Sequence, residues 1–274
     1  MVGHPLPAEA PGTPGRGAGG TRQNDAATAA PRALAFDAAA EQYAAHRPSY
    51  PPALLDAVED LAGRPLAGAK VADVGAGTGI GTVLLDRRGA DVIAVEPGAG
   101  MAARLCHEHP EIPLVRGDGN RLPLATASQD LLTFAQSWHW TDPRLAVPEA
   151  RRVLRPGGSL ALWWNHFDAA HGWLAGQHAR IARFLGDDSA GHDTGGPLRD
   201  LPDSLPWATR RFHWARRVTL DRHLANLGSH SAFLVRGPEA AHAFLAEERA
   251  RLARLFPDGH VEERYLVNLA VARC

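Results

Sequence analysis

Val71-Ala72-Asp73-Val74-Gly75-Ala76-Gly77-Thr78-Gly79-Ile80 decides the fold of this 274-residue chain. An apolar, β-prone run ends at an acidic residue and then breaks into glycines spaced G-x-G-x-G. A buried parallel strand looks like this when it turns sharply into a helix beneath a nucleotide-like ligand. Glycine lets the backbone approach such a ligand, where a Cβ would collide with it. The spacing is not the G-x-G-x-x-G of a dinucleotide fingerprint, because Ile80 stands where its third glycine belongs. A nicotinamide oxidoreductase is disfavoured on that ground.

Outward from this turn, strand and helix signals alternate, which implies a parallel sheet wrapped by helices. A helix is expected over Thr82–Arg88, a strand over Asp91–Glu96 and a helix from Ala99 to His107. Short strands follow at Pro113–Asp118 and Asp130–Ala135, then a helix over Leu145–Leu154. The turn Arg155-Pro156-Gly157-Gly158 feeds a fifth strand, Ser159–Trp164. Upstream, Phe36–His46 reads as a helix ended by Pro48, and Pro51-Pro52 opens another over Ala53–Leu61. Downstream come a helix at Trp173–Phe184 and a Gly/Asp/Pro-rich loop, Gly186–Pro206, long enough to suggest a mobile element. A strand over Arg211–Leu220 puts Phe212 and Trp214 on one face. Helices around Arg222–Asn226 and Pro238–Phe256 precede a last strand, Arg264–Val271.

Composition bounds the partners. With 45% hydrophobic and 22% charged residues and a net charge of −1, the chain can bury one sizeable core and shows no basic footprint for nucleic acid. Lys70 is the sole lysine beside many arginines, a skew that fits high-GC bacterial coding. Cys106 and Cys274 are too few for a disulfide framework or a thiolate metal site. His107-x-His109 and the pair His166 and His171 lack ligand spacing, so no metal is expected. No apolar run is long enough to span a membrane. The Gly/Pro/Ala-rich stretch over residues 1–33 reads as a disordered tail on a cytoplasmic protein.

Four segments, Val71–Ile80, Val92–Glu96, Gly117–Leu124 and Leu154–Trp164, together resemble the core of the class I S-adenosylmethionine-dependent methyltransferases. The likeness covers about Phe36 to Asn165. It implies a Rossmann-like α/β fold with a mostly parallel seven-stranded sheet, helices on both faces and a small helical cap. One domain over 34–274 would carry its core at about 62–165 plus the C-terminal strands, with cap segments from 34–61 and parts of 165–236. The leader Phe36-Asp37-x-x-Ala40-x-x-Tyr43-x-x-x-Arg47-Pro48-x-Tyr50-Pro51 and the run Trp138-His139-Trp140-x-Asp142 are similar to a trans-aconitate methyltransferase-like subgroup.

The resemblance implies S-adenosylmethionine as cofactor and a small-molecule partner. Gly75, Ala76 and Gly77 would lie under the ligand, with Asp73 orienting the loop or an ammonium group, or serving structure alone. Glu96, 21 positions beyond Gly75, would accept hydrogen bonds from the ribose hydroxyls, although a strand-end acid can also be a plain surface residue. Pro97 and Met101 would border that pocket with Gln136. Asp118 and the backbone N–H of Gly119 would read the adenine edge. Tyr43, Arg47 and Tyr50 would close over the methionine end, Arg47 pairing its carboxylate. Trp138 and Trp140 would form a flat apolar wall. His139 between them could be a general base or a packed residue shaping the pocket. Asn165 and His166 at the fifth strand's end, and Ser229, His230 and Ser231, are further substrate-facing candidates. Methyl transfer to oxygen of a secondary metabolite is the expected activity. Transfer to nitrogen or carbon, or a fold that binds the cofactor without transferring methyl, are the alternatives.

Overall fold

The computed structural model describes residues 46–186, 198, 201–229, 233 and 236–274. The expected tail, the leader helix before His46 with Tyr43, most of the loop over 186–206, and His230 and Ser231 lie outside the described residues.

Seven strands form one sheet in the order β3-β2-β1-β4-β5-β7-β6. They are β1 Lys70–Val74, β2 Asp91–Glu96, β3 Leu114–Arg116, β4 Gln129–Ala135, β5 Leu154–Phe167, β6 Trp207–Thr219 and β7 His260–Arg273. The first five run parallel, while β7 lies antiparallel to both β5 and β6. Strand residues alternate between two buried faces, as the pleat requires. Val71, Leu131, Trp163 and Leu269 pack on one side with Leu54 and Val58 of α1, Pro52–Ala62, and Leu85 of α2, Ile80–Arg87. Ala72, Leu132, Leu162 and Trp164 pack on the other with Val147 and Val153 of α4, Pro143–Val153. The apolar runs therefore read as continuous because both faces are covered. Helix α3, Ala99–Glu108, packs beside β2 and β3.

Helix boundaries have local causes. Pro52 sits in the first turn of α1, and Gly63 ends it at φ 68° with its N–H donating to the Glu59 carbonyl. The Asp142 carboxylate caps α4 by accepting the Arg144 N–H at 2.9 Å.

Strands β5, β6 and β7 extend well beyond their expected bounds, β6 beginning at Trp207 and not Arg211. β5 begins at Leu154, because the Arg155–Gly158 turn is absorbed as a bulge: Gln129 pairs with Leu154 and Leu131 with Ser159. β7 spans 14 residues, since β6 pairs with it from Trp207↔Ala272 to Thr219↔His260. Helices α5, Gly172–Leu185, α6, Leu220–Gly228, and α7, Pro238–Leu255, complete the described chain.

Candidate active site

The glycine turn lies at the carboxyl end of β1, where the chain leaves for β2 on one side and β4 stands on the other. Open α/β sheets bind ligands at such a switch point. Gly75, Gly77 and Gly79 all have positive φ, at 68°, 60° and 92°. They are glycine for different reasons. A Cβ on Gly75 would come within 2.5 Å of the Ser137 Cβ, and one on Gly79 within 3.1 Å of Leu105. A Cβ on Gly77 would meet nothing within 4 Å among the described residues, which leave that side of the loop open as a cradle.

Glu96 stands across the cradle, only 6% exposed. Its carboxylate accepts the Gly77 and Gly98 N–H groups, both at 2.7 Å. These bonds pin the glycine loop to the end of β2 and hold the carboxylate at the lip of a cavity of about 440 Å³. Pro97, Met101, Asp118, Gly119 and Gln136 line the same cavity. The Asp118 carboxylate accepts the Asn120 N–H at 2.7 Å, and the Asn120 side-chain carbonyl accepts the Asp142 N–H. The loop after β3 is thereby tied to the start of α4. Gly119 packs edge-on: a Cβ there would approach Phe134 and Thr141 to 2.8 Å.

A smaller lobe of about 250 Å³ continues over the glycine loop, lined by Tyr50, Ala76 and Ile80 and by residues from α5, α6 and β7. Arg47, Gly75, Gly77, Gln136, Asn165 and His166 border both lobes, making them one cavity with two ends. Tyr50 stands edge-on to Trp163 at 6.0 Å, and Arg47 donates to the Ser229 carbonyl at 3.4 Å. Gln136 takes a left-handed φ of 62°, rare for a residue with a side chain, and its amide donates to the Asn165 carbonyl at 2.9 Å. That bond locks the ends of β4 and β5 together at the centre of the cavity.

Three expected site residues turn elsewhere. Asp73 is fully buried, its two oxygens accepting the Thr82 and Thr133 hydroxyls at 2.7 Å each, and it lines neither lobe. Burial pushes its carboxyl up to about 6, against the pull of the two hydroxyl bonds. Its role is to join β1, β4 and α2 beneath the loop. Trp138 is buried edge-on against Phe134 at 4.9 Å, because the single turn Trp138–Trp140 points its first residue into the core. The wall therefore carries one indole, Trp140, and not two. Ser229 is buried, its hydroxyl donating to the Asn226 carbonyl at 2.6 Å at the end of α6.

His139 faces the cavity and is reached by solvent, its ring 4.6 Å from that of Trp140. The protein mass around it, and secondarily the charge of neighbouring His166, lower its pKa to about 4. The imidazole is therefore neutral at pH 7. Among the described residues, no group of three or more His, Cys, Asp or Glu could hold a metal ion.

Sequence reading missed the lining residues His178, Asn226, Phe233 and Tyr265. They come from four separate places in the second half of the chain, and no spacing links them. The one available hint was a polar Asn226 on the apolar face of α6 between Leu224 and Leu227.

Comparison with known proteins agrees with this fold. A methyltransferase-domain family matches residues 72–162. An uncharacterised methyltransferase of Mycobacterium tuberculosis is 38% identical over 192 residues, 68% of this chain and 72% of that protein. The chain belongs to the class I S-adenosylmethionine-dependent methyltransferases. A demethylmenaquinone methyltransferase of Beutenbergia cavernae is 33% identical over 56% of this chain and 65% of its own length. The solved structure of a type II methyltransferase from Anaeromyxobacter dehalogenans superposes with a TM-score of 0.64 at 25% identity, covering 83% of this chain and 97% of that one. As a member of this family the protein is a methyltransferase enzyme, and its fold implies S-adenosylmethionine as methyl donor.

Proposed function

We propose that the protein transfers the methyl group of S-adenosylmethionine to an oxygen, hydroxyl or carboxylate, of a small secondary metabolite. The open side of Gly77 and the Glu96 carboxylate at the cavity lip fit the cofactor. In this reading Glu96 holds the ribose, and Asp118 with the Gly119 N–H holds the adenine edge. Pro97 and Met101 border them, while Gly75, Ala76, Arg47 and Tyr50, joined by Tyr43, enclose the methionine end. When bound, the cofactor supplies a methyl group already activated on a sulfonium.

One observation carries the choice of oxygen. The titratable residues lining the smaller lobe are Arg47, Tyr50, His166, His178 and Tyr265, and no Asp or Glu lines it among the described residues. Beyond the methionine end, such a wall is complementary to a neutral or anionic acceptor. The protein's task is then to exclude water and align the acceptor. Alignment can supply roughly 7–11 kcal/mol of barrier lowering, against a factor of about 10²–10⁴ for a general base. A carboxylate acceptor needs no base. A neutral His139 of lowered basicity shapes the wall beside Trp140 in this reading and abstracts no proton, so a hydroxyl acceptor enters already ionised as its oxyanion.

The similarity to a demethylmenaquinone methyltransferase favours a second reading, transfer to carbon. Isotope-labelled S-adenosylmethionine, the purified protein and a metabolite extract separate the two. The chemical shift of the transferred methyl distinguishes oxygen-, nitrogen- and carbon-bound products. Label on oxygen is the expected result; label on nitrogen or carbon overturns the reading.

A further inference from the structure

Two side-chain amides in the wall of the smaller lobe each have one end locked and the other end without a partner among the described residues. Asn165, at the end of β5, is 8% exposed. Its Oδ1 accepts the Trp214 indole N–H at 3.1 Å, and because an indole can only donate, the orientation of the amide is forced. Its Nδ2 has no hydrogen-bond partner among the described residues. Asn226, in α6, is 1% exposed. Its Nδ2 donates to the Tyr265 hydroxyl at 3.1 Å and to the Glu263 carboxylate at 3.3 Å. The ionised carboxylate can only accept, so this amide is fixed as well, and its Oδ1 is left without a partner.

The two locks share one support. Trp214 stacks on Tyr265 at 4.8 Å, and the Tyr265 hydroxyl donates to Glu263. The protein thus holds a donor and an acceptor on one lobe wall, each buried and each costly to leave unpaired. A complementary molecule offers a hydroxyl hydrogen to the Asn226 Oδ1 and an oxygen to the Asn165 Nδ2.

We infer that Asn165 and Asn226 are the specificity-determining pair for the methyl acceptor, which is a hydroxyl compound carrying a second oxygen, such as a hydroxy acid. This rests on the reading of the α5, α6 and β7 side of the smaller lobe, beyond the methionine end, as the acceptor site. Neither amide atom is reached by bulk water, so the contacts form as the acceptor parts the wall on the α5 and α6 side.

Calorimetry on the full chain saturated with S-adenosylhomocysteine tests the pair with three probes: meta-hydroxybenzoate, benzoate and meta-methoxybenzoate. The hydroxyl probe binds about tenfold tighter than the other two, the effect of roughly one hydrogen bond. Asn226→Ala removes that preference. Asn165→Asp keeps a partner for Trp214 but replaces the donor, and weakens all three probes by about tenfold. S-adenosylhomocysteine affinity stays the same in Asn226→Ala, whose residue borders the smaller lobe and not the larger one. Equal affinity for the three probes in the unsubstituted protein, or no binding of any, overturns the inference without recourse to a variant. So does a loss confined to S-adenosylhomocysteine. Labelled methyl on nitrogen or carbon with the probe preference intact would sink oxygen transfer and leave the amide pair standing. An O-methyl product with no probe preference would do the reverse.

Discussion

Gly77 and His139 show how much of the site depends on single residues. Among the described residues no atom lies within 4 Å of where a Gly77 Cβ would stand, yet the Gly77 N–H is committed to Glu96. Gly77→Val therefore fills the cradle and strains a backbone with φ near 60°. Calorimetry should find no S-adenosylhomocysteine binding while circular dichroism still reports a folded protein; near-normal affinity would remove the loop from the cofactor site. For His139 the lowered pKa sets the direction of the pH dependence. A ring whose pKa has fallen from 6.5 to about 4 loses its proton well below neutrality. The kcat/KM profile is thus expected to be level between pH 6 and 8, with any falling limb near the acidic value. His139→Ala should lower turnover by about tenfold or less. A loss of about a hundredfold or more, with a limb near 6.5 in the parent enzyme, would restore the general base.

At the scale of elements, the loop after β3 is shaped by what lies under it. Asp118 and Asn120 organise the loop through their side chains, and the Phe134 ring beneath leaves no room for a methyl group on Gly119. Gly119→Ala forces either the loop or the ring to move, an overpacking cost of about 1–3 kcal/mol. Urea unfolding should show that loss together with weaker cofactor binding. Phe134→Leu in the same chain should recover part of both, a coupling that two independent sites would not show. The loop's acidic residue was legible from sequence. The need for glycine beside it was not, because Phe134 is 15 residues further along the chain.

Across the whole molecule, the second half of the chain is held to the sheet by a buried charged network. His223 and Glu263 are both 0% exposed and meet at 2.8 Å, while Arg216 reaches the second Glu263 oxygen at 2.6 Å. Gln177 joins His223 to Glu248, which Arg180 pairs through two bonds. Burial pushes the Glu263 pKa up, but His223, Arg216 and Tyr265 outweigh it and hold the value below 4.5. A depressed acid stabilises the fold above its unfolded pKa, and the contribution is lost as pH falls through the folded value. Stability should therefore decline below about pH 4.5. Glu263→Gln leaves Arg216 without its counter-charge and should cost about 3–5 kcal/mol at pH 7 while flattening the acid limb. Unfolding midpoints measured against pH check both, and an unaltered acid limb would exclude Glu263 as its source.

The chain itself determined the first half of this architecture. Strand, glycine turn and helix succeed one another there with local signals, so β1, β2, β4 and the residues Gly75, Gly77 and Glu96 could be named from spacing, and Asp118 from the family resemblance. Tertiary structure decided which way side chains face. Asp73, Trp138 and Ser229 have the residue types and positions of site residues, but Thr133 of the neighbouring strand turns Asp73 inward, and the single turn after β4 and the end of α6 turn Trp138 onto Phe134 and Ser229 onto Asn226. It also assembled the smaller lobe. Asn165, Asn226 and Tyr265 lie on three elements, and only the pairing of β7 with β5 and β6 brings them to one wall. Local sequence encodes turns and periodicity, whereas long-range pairing and the orientation of buried amides depend on partners that no local pattern specifies.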